Sequence, residues 1–173
     1  MPPSTVVNFM LQQGFAEEPF ETCDMLFEAL YFQPRIVFPF VVVAIGLQFV
    51  SVPASVALHL AISGVLWWNT LLPALNPFEL AYNRLVAGPR GRASLGPAPV
   101  PRRFAQGMAA ALLLAAGLAL AFGVPWLAWI IEALVAVAFS ALLFGRFCLG
   151  AYVYHVLKGR LAFANSTLPW ARR

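Results

Sequence analysis

The chain has 173 residues, of which 61% are hydrophobic and only 10% are charged, whereas soluble domains are about 45–50% apolar and about 25% charged. This composition excludes an ordinary soluble fold. The charges are also clustered, because none lies between Arg35 and Glu79 and only Glu132 lies between Arg103 and Arg146. Each of these two stretches is too long for one membrane crossing of about 20 helical residues, and fits two.

The first 35 residues form an acidic segment. Between Pro19 and Phe32 the apolar residues recur at helical spacing, with acidic residues on another face. This pattern predicts a short interfacial helix that lies flat on the membrane surface. An acidic helix gains nothing from anionic lipid, so its expected partner is the arginine-rich loop of this chain or a neighbouring subunit. The alternative is a solvated charged face.

Residues 36–158 are predicted to form an all-α integral membrane domain of four transmembrane helices arranged as two hairpins. Helices are expected rather than a barrel, because the apolar runs show no alternation of polar and apolar residues. Turn residues interrupt each long stretch once, near Pro53 and near Gly123. The predicted spans are about 36–52, 54–75, 104–122 and 126–146, with a loop at 76–103 and a basic tail at 159–173.

The loop between the two hairpins has signals of its own. Asn76, Pro77 and Glu79 match the first positions of a capping box, which predicts a second amphipathic surface helix from Pro77 to about Val86. Gly and Pro at 88–89 stop this helix. The remainder, up to Arg103, is predicted to be an extended, exposed strap rich in arginine.

The positive charges predict the orientation. All eleven Lys and Arg residues fall on one side of the four predicted spans. By the positive-inside rule, the chain is expected to be a multi-pass protein of a cytoplasmic (inner) membrane, with both termini and the long loop cytoplasmic. The net charge of +4 is what this topology alone produces, so the expected partners are the bilayer and other membrane subunits, and not nucleic acid.

Polar side chains inside spans are costly and are therefore candidates for function. Glu132 and His59 lie within predicted spans, and Gln48 lies at a similar depth near the same end of the bundle. We predict that these three residues form a polar cluster. The cluster either joins three helices or binds a proton or ligand. One Glu and one His do not make a relay across the bilayer.

Small residues recur every fourth position along the third predicted span, which lets another helix approach closely, within the protein or against a partner. This predicted packing stripe consists of Gly107, Ala111, Ala115, Ala119 and Gly123.

No sequence pattern for an enzyme is present, since the chain has no phosphate loop, no serine triad pattern and no His-Glu-x-x-His motif. No metal site is predicted, because Cys148 and His155 do not complete a set of ligands. His59 and His155 could each be an axial ligand to a haem or a chlorophyll-like cofactor supplied in a complex. The sequence requires no cofactor, although contacts with lipid, quinone or pigment are compatible with it.

Three motifs carry a resemblance to a known family. They are Asn76-Pro77 with Arg84, the stretch from Pro101 to Gln106, and the cytoplasmic motif Arg146, Phe147, Cys148, Leu149 and Gly150, which follows Gly145. From about Ile36 to Lys158 the chain resembles a family of small bacterial integral-membrane proteins classed as a domain of unknown function. Its members often continue as Phe-Cys-Leu-Gly-Cys, which implies thiol or sulfur chemistry. This chain has Ala151 at the position of the second cysteine, so Cys148 cannot form a disulfide with residue 151.

The leading hypothesis is a non-catalytic accessory or structural subunit of a larger bacterial membrane complex of respiratory or photosynthetic type. An alternative is a membrane protein that handles thiols or sulfur through Cys148, with Arg146 lowering the pKa of the thiol. A second alternative is a small proton-linked carrier that uses Glu132 and His59.

Overall fold

The computed structural model describes residues 4–15, 20–92 and 94–171, with the backbone alone for residues 4 and 20–25. Within these ranges the chain is helical and contains no strand. Short 3-10 or π-helical turns at 73–75 and 83–90 complete the long loop. The helices are α1 (Ser4–Gln13), α2 (Phe20–Leu47), α3 (Val52–Leu71), α4 (Pro77–Tyr82), α5 (Val100–Ala121), α6 (Pro125–Leu143), α7 (Leu149–Leu157) and α8 (Leu161–Ser166).

Four helices in the described part of the chain are long and apolar enough to cross a membrane: Leu26–Leu47 of α2, α3, α5 and α6. The prediction of an all-helical, four-span membrane protein is therefore confirmed. The spans are joined at one end by short turns at 48–51 and 122–124, which we call the turn side. The loop side is the opposite end, where residues 72–99 and helices α1, α7 and α8 lie.

Helix α2 differs from the prediction, because it is one continuous helix through Pro34 and Pro39. The expected interfacial helix at 19–32 is wrong as a separate element. Leu30 and Tyr31, which were expected to face the membrane surface, are buried in a protein core on the loop side. Residues 16–19 and the side chains of 20–25, including Cys23 and most of the acidic residues, lie outside the described part.

The described acidic side chain of α2, Glu28, does meet the arginine-rich loop. Its Oε2 lies 3.1 Å from Arg92 Nη1, in an exposed ion pair. The hydrogen bond to Glu28 is the largest contribution that raises the pKa of Arg92. Such a pair contributes little to stability because water and salt screen it.

Helix α5 is the centre of the bundle and contacts α3, α6 and α7. Close approach to α3 is possible because glycines replace larger side chains: a Cβ added at Gly117 would lie 3.0 Å from His59 Cβ, and one added at Gly107 would lie 3.2 Å from Thr70 Cγ2. An apolar core fills the middle of the spans. It is formed mainly by Val37, Val41, Ile62, Leu66, Leu113, Val135 and Phe139.

The segments outside the spans form a second core on the loop side. Phe9 and Met10 of α1 are buried against α2, with Cys148 and Ala151 in the same cluster. Asn8 Nδ2 donates hydrogen bonds to the carbonyls of Leu168 at 2.9 Å and Ala171 at 3.1 Å. The C-terminal segment is thus folded onto α1.

The long loop is more ordered than an extended strap. Asn76 Oδ1 accepts hydrogen bonds from the Phe78 and Glu79 N–H groups and so caps α4, which begins at Pro77. Asn83 exchanges two hydrogen bonds with the backbone of Leu95. The strap ends at Pro99, since α5 begins at Val100 and includes Arg102 and Arg103. The expectation that these arginines belong to an exposed loop is wrong.

Candidate functional site

A polar cluster on the turn side is centred on Glu132 of α6. One carboxylate oxygen lies 3.2 Å from His59 Nε2, and the other accepts a 2.9 Å hydrogen bond from Gln48 Nε2. The pair of His59 and Glu132 is close but poorly aligned for a hydrogen bond. His59 and Glu132 are 0% and 2% exposed. The structure therefore brings together the three residues that were predicted to form a cluster; their role as a functional site stays a prediction.

Further contacts hold this cluster in place. Trp129 Nε1 donates to Gln48 Oε1 at 2.8 Å, and Ser55 Oγ donates to the Ala44 carbonyl at 2.7 Å. His59 Nδ1 lies 2.9 Å from the Ser55 carbonyl. A carbonyl only accepts, so Nδ1 carries a proton.

The ring of His59 has a different neighbour on each side. Its Nδ1 faces the Ser55 carbonyl, and its Nε2 lies 3.2 Å from Glu132 Oε1. An axial bond from His59 to a haem or chlorophyll-like group would have to displace one of these neighbours.

A second buried polar cluster lies at the loop side of the spans, where none was predicted. Gln106 Nε2 donates to Gln33 Oε1 at 2.8 Å. Arg102 Nη2 makes only longer contacts, 3.5 Å to Gln33 Oε1 and 3.9 Å to Glu79 Oε1. All four side chains are buried, and Arg102 is 6% exposed. Burial is the main cause that raises the pKa of Glu79, and it outweighs the opposing effect of Arg102.

Sequence reasoning missed this cluster because Arg102 was assigned to the loop and because Gln33 and Gln106 carry no charge. Pro101 was the signal that could have revealed it. Proline is favoured in the first turn of a helix, so it indicates that α5 begins before Arg102.

A cavity of about 100 Å³ adjoins the loop-side cluster. Its walls are mainly apolar and come from α1, α2, α3, α5, α6 and α7. Its polar lining residues are Gln13, Gln33, Arg102 and Gln106. Gln106 Oε1 is buried and has no hydrogen-bond partner among the described residues. The cavity therefore combines an apolar interior with unsatisfied polar groups, as small-molecule sites commonly do.

The motif around Cys148 serves to dock α7. The Cys148 N–H donates to Gln12 Oε1 at 2.9 Å, and Leu149 begins α7. A Cβ added at Gly150 would lie 2.6 Å from Ala105 Cα, so only glycine permits this contact with α5. Phe147 donates its N–H to the Ala141 carbonyl at 3.1 Å.

Thiol chemistry gains no support from these contacts. Cys148 is buried, and burial is the largest effect on its thiol and raises its pKa. Arg146 was expected to lower this pKa, but its guanidinium donates to Thr5 Oγ1 at 3.1 Å and lies over the Phe27 ring. Arg146 itself adopts a positive φ of 53°, which turns the chain from α6 toward α7.

His155 is buried in the loop-side layer. Its Nε2 lies 3.0 Å from the Gln12 carbonyl, and its ring packs against Phe163. The second proposed axial ligand therefore has one nitrogen engaged with the backbone. Among the residues that the structure describes, no group of three or more His, Cys, Asp and Glu side chains could hold a metal ion.

The predicted packing stripe divides between two environments. Gly107 and Ala119 are buried, whereas Ala111, Ala115 and Gly123 are exposed. The face that α5 presents to its own chain instead contains Ala110, Leu113, Ala116 and Gly117. As an internal packing stripe the prediction is wrong for the three exposed residues, because close contact with α3 uses the neighbouring face. A contact with a partner helix stays a prediction.

These features define a multi-pass, all-helical membrane protein with two buried polar clusters. Residues 29–159 match the family described as a domain of unknown function, DUF4395, and the chain belongs to this family. The resemblance noted from the sequence is thereby confirmed. The matched region includes all the residues of the two clusters. Comparisons with curated proteins and with solved structures find no significant match.

Proposed function

We propose that this protein is a non-enzymatic accessory subunit of a larger bacterial membrane complex of respiratory or photosynthetic type. In this proposal it lies in the cytoplasmic membrane with both termini on the cytoplasmic side. It stabilises the complex by helix packing within the bilayer and by contacts of its loop-side layer.

The observation that carries this proposal is the exposure of Ala111 and Ala115 on the central helix, α5. Association of helices in lipid depends on close packing, and small residues allow two backbones to approach. An exposed face of small residues offers this advantage only when another helix covers it. The buried faces of α5 contact α3, α6 and α7.

The orientation in this proposal rests on charge. The turn-side connections at 48–51 and 122–124 carry no charged residue, whereas the loop at 72–99 carries Arg84, Arg90 and Arg92. Reporter fusions after Pro53 and after Arg92 test it. We expect the fusion after Arg92 to report a cytoplasmic location and the fusion after Pro53 the opposite location. The reverse result would refute the orientation.

The accessory role is tested by purifying the tagged protein from its native membranes in mild detergent and identifying the proteins that co-migrate with it. The double variant Ala111→Leu, Ala115→Leu should lose these partners, because the larger side chains keep a partner helix at a distance. Ala133→Leu is the matched control, since Ala133 is exposed on α6. A protein that migrates alone, or partners retained by the double variant, would contradict the proposal.

A further inference from the structure

The cavity on the loop side is lined in part by apolar residues that are not fully buried. Leu112 of α5, Ala138 and Leu142 of α6 and Leu149 of α7 all line it and are each partly exposed. Helices α5 and α6 are joined at the turn side, and their lining residues lie in the halves of the two helices that are nearer the loop side. A ligand that passed among these apolar residues would reach the cavity from the region that lipid chains occupy.

The size of the cavity restricts what it can enclose. At about 100 Å³ it is smaller than an engineered cavity of about 150 Å³ that binds benzene. It can therefore enclose one small group and the adjoining carbons of a single chain. The remainder of a long ligand would extend among the partly exposed apolar residues into the lipid.

The polar groups at the cavity restrict the head of the ligand. Arg102 is a buried donor whose contacts of 3.5 and 3.9 Å leave it weakly paired. Gln106 Oε1 is a buried acceptor without a partner in the described chain. A group that accepts from Arg102 and donates to Gln106 would satisfy both. A carboxyl group in its acid form offers an acceptor and a donor on adjacent oxygens.

We propose that this cavity binds the carboxyl end of a single-chain carboxylic acid, such as a fatty acid, taken from the surrounding bilayer. The carbonyl oxygen accepts from Arg102, the hydroxyl donates to Gln106, and the first carbons of the chain lie against Val37, Leu66 and Phe139. This site is separate from the Ala111 and Ala115 face, so the proposal stands or falls independently of the accessory role.

The test is equilibrium binding of radiolabelled palmitic acid to the full-length protein in detergent, with the thermal unfolding midpoint as a second readout. We expect saturable binding of one molecule per chain and a higher unfolding midpoint. Methyl palmitate and 1-hexadecanol should compete at least tenfold less well, because the first lacks the donor and the second lacks the separate carbonyl acceptor. Equal competition by either compound would overturn the assignment of the head group.

Variants separate the two ends of the site. Arg102→Gln should weaken palmitate binding at least tenfold, and Ala138→Leu should abolish it by filling the cavity without touching the polar end. Ala133→Leu, on an exposed face of the same helix, should bind like the native protein. If Arg102→Gln fails to fold, Ala138→Leu still decides the question. Native affinity in Ala138→Leu, or full displacement of palmitate by phosphatidylglycerol, would refute the proposal.

Discussion

The two polar clusters of this protein are both buried, yet they are built differently. On the turn side, the carboxylate of Glu132 lies 2.9 Å from Gln48 Nε2 and 3.2 Å from His59 Nε2. Trp129 Nε1 in turn donates to Gln48 Oε1 at 2.8 Å. On the loop side, the closest side-chain contacts of Arg102 are 3.5 and 3.9 Å. The apolar core around Leu113 lies between the two clusters.

We infer from this difference that buried polar groups serve two purposes in one small bundle. The turn-side cluster joins three segments of the chain through contacts of 2.8 to 3.2 Å, and these contacts fix the relative positions of the segments. A loosely paired set beside a cavity retains donors and acceptors that a ligand could use. The turn-side cluster is therefore expected to matter chiefly for stability, and the loop-side cluster for binding.

Removing the carboxylate of Glu132 should have the largest effect. Glu132→Leu removes the carboxylate that faces the buried His59 Nε2 and accepts from Gln48 Nε2, and it should lower the free energy of unfolding by about 3 kcal/mol. Denaturant titration in detergent micelles, followed by circular dichroism, measures this. Glu132→Gln keeps the shape and one hydrogen bond, and should cost only about 1 kcal/mol. A Leu variant as stable as the native protein would show that the cluster does not hold the helices.

The Gln variant also tests the proton-linked alternative. If Glu132→Gln assembles and functions like the native protein, Glu132 does not act by binding and releasing a proton. A selective loss of proton uptake in liposomes, with unchanged stability, would favour a carrier instead.

Gly150→Ala should have the next largest effect on stability, and it should disturb only the loop side. Its Cβ would lie 2.6 Å from Ala105 Cα, so α7 must move away from α5, at a cost of about 2 kcal/mol. Gly64→Ala is the control, because no atom lies within 4 Å of an added Cβ there. It should leave stability unchanged or raise it by about 0.5 kcal/mol. Equal effects of the two substitutions would contradict the close contact between α5 and α7.

Alkylation of Cys148 should be slow in the folded protein. Burial hides the thiol and raises its pKa, so less thiolate is present than in a free cysteine at pH 8. In a Cys23→Ser background, maleimide should react at least tenfold faster after denaturation than before it, a factor worth about 1.4 kcal/mol. Fast labelling of the folded protein would support the alternative hypothesis that the protein handles thiols or sulfur through Cys148.

The smallest expected effect concerns pH and Glu79. Burial raises the pKa of this carboxyl above its ordinary value of 4.5, so the folded protein keeps the proton where the unfolded chain has lost it. The resulting contribution to stability is complete below the unfolded pKa and is lost as the pH rises through the folded pKa. The free energy of unfolding, measured from about pH 4 upward, should decrease as the pH rises. In Glu79→Gln this decrease should be absent. If the free energy of unfolding of Glu79→Gln decreased equally with pH, another group would be the cause of the pH dependence.

The sequence allowed much of the turn side to be predicted. The stretch without charge before Glu79 and the stretch before Arg146, in which Glu132 is the only charged residue, indicated four spans, and these are present. Polar residues are rare in spans, so Gln48, His59 and Glu132 at one depth stood out, and the structure places them together. The turns were predictable because Pro53 and Gly123 end or begin helices by local chemistry alone.

The loop side depended on tertiary contacts that local patterns do not contain. Residues 20–32 have the pattern of a surface helix, but α1 covers Leu30 and Tyr31, and the helix continues into the span. Arg102 looks like a loop residue until Gln33 and Glu79 are found beside it. The face of α5 that packs could not be chosen from spacing, because Ala110 and Ala111 are equally small while only one of them is buried.

The hydrogen bonds from Asn8 to the carbonyls of Leu168 and Ala171 affect how the protein is made. Helix α1 is synthesised before the spans, whereas its partners in this contact leave the ribosome only after all four spans. During translation α1 must therefore wait, with Phe9 and Met10 lacking part of their final cover. The loop-side layer closes last, which leaves an interval in which the biosynthetic machinery or a chaperone could bind the emerging N-terminal helix.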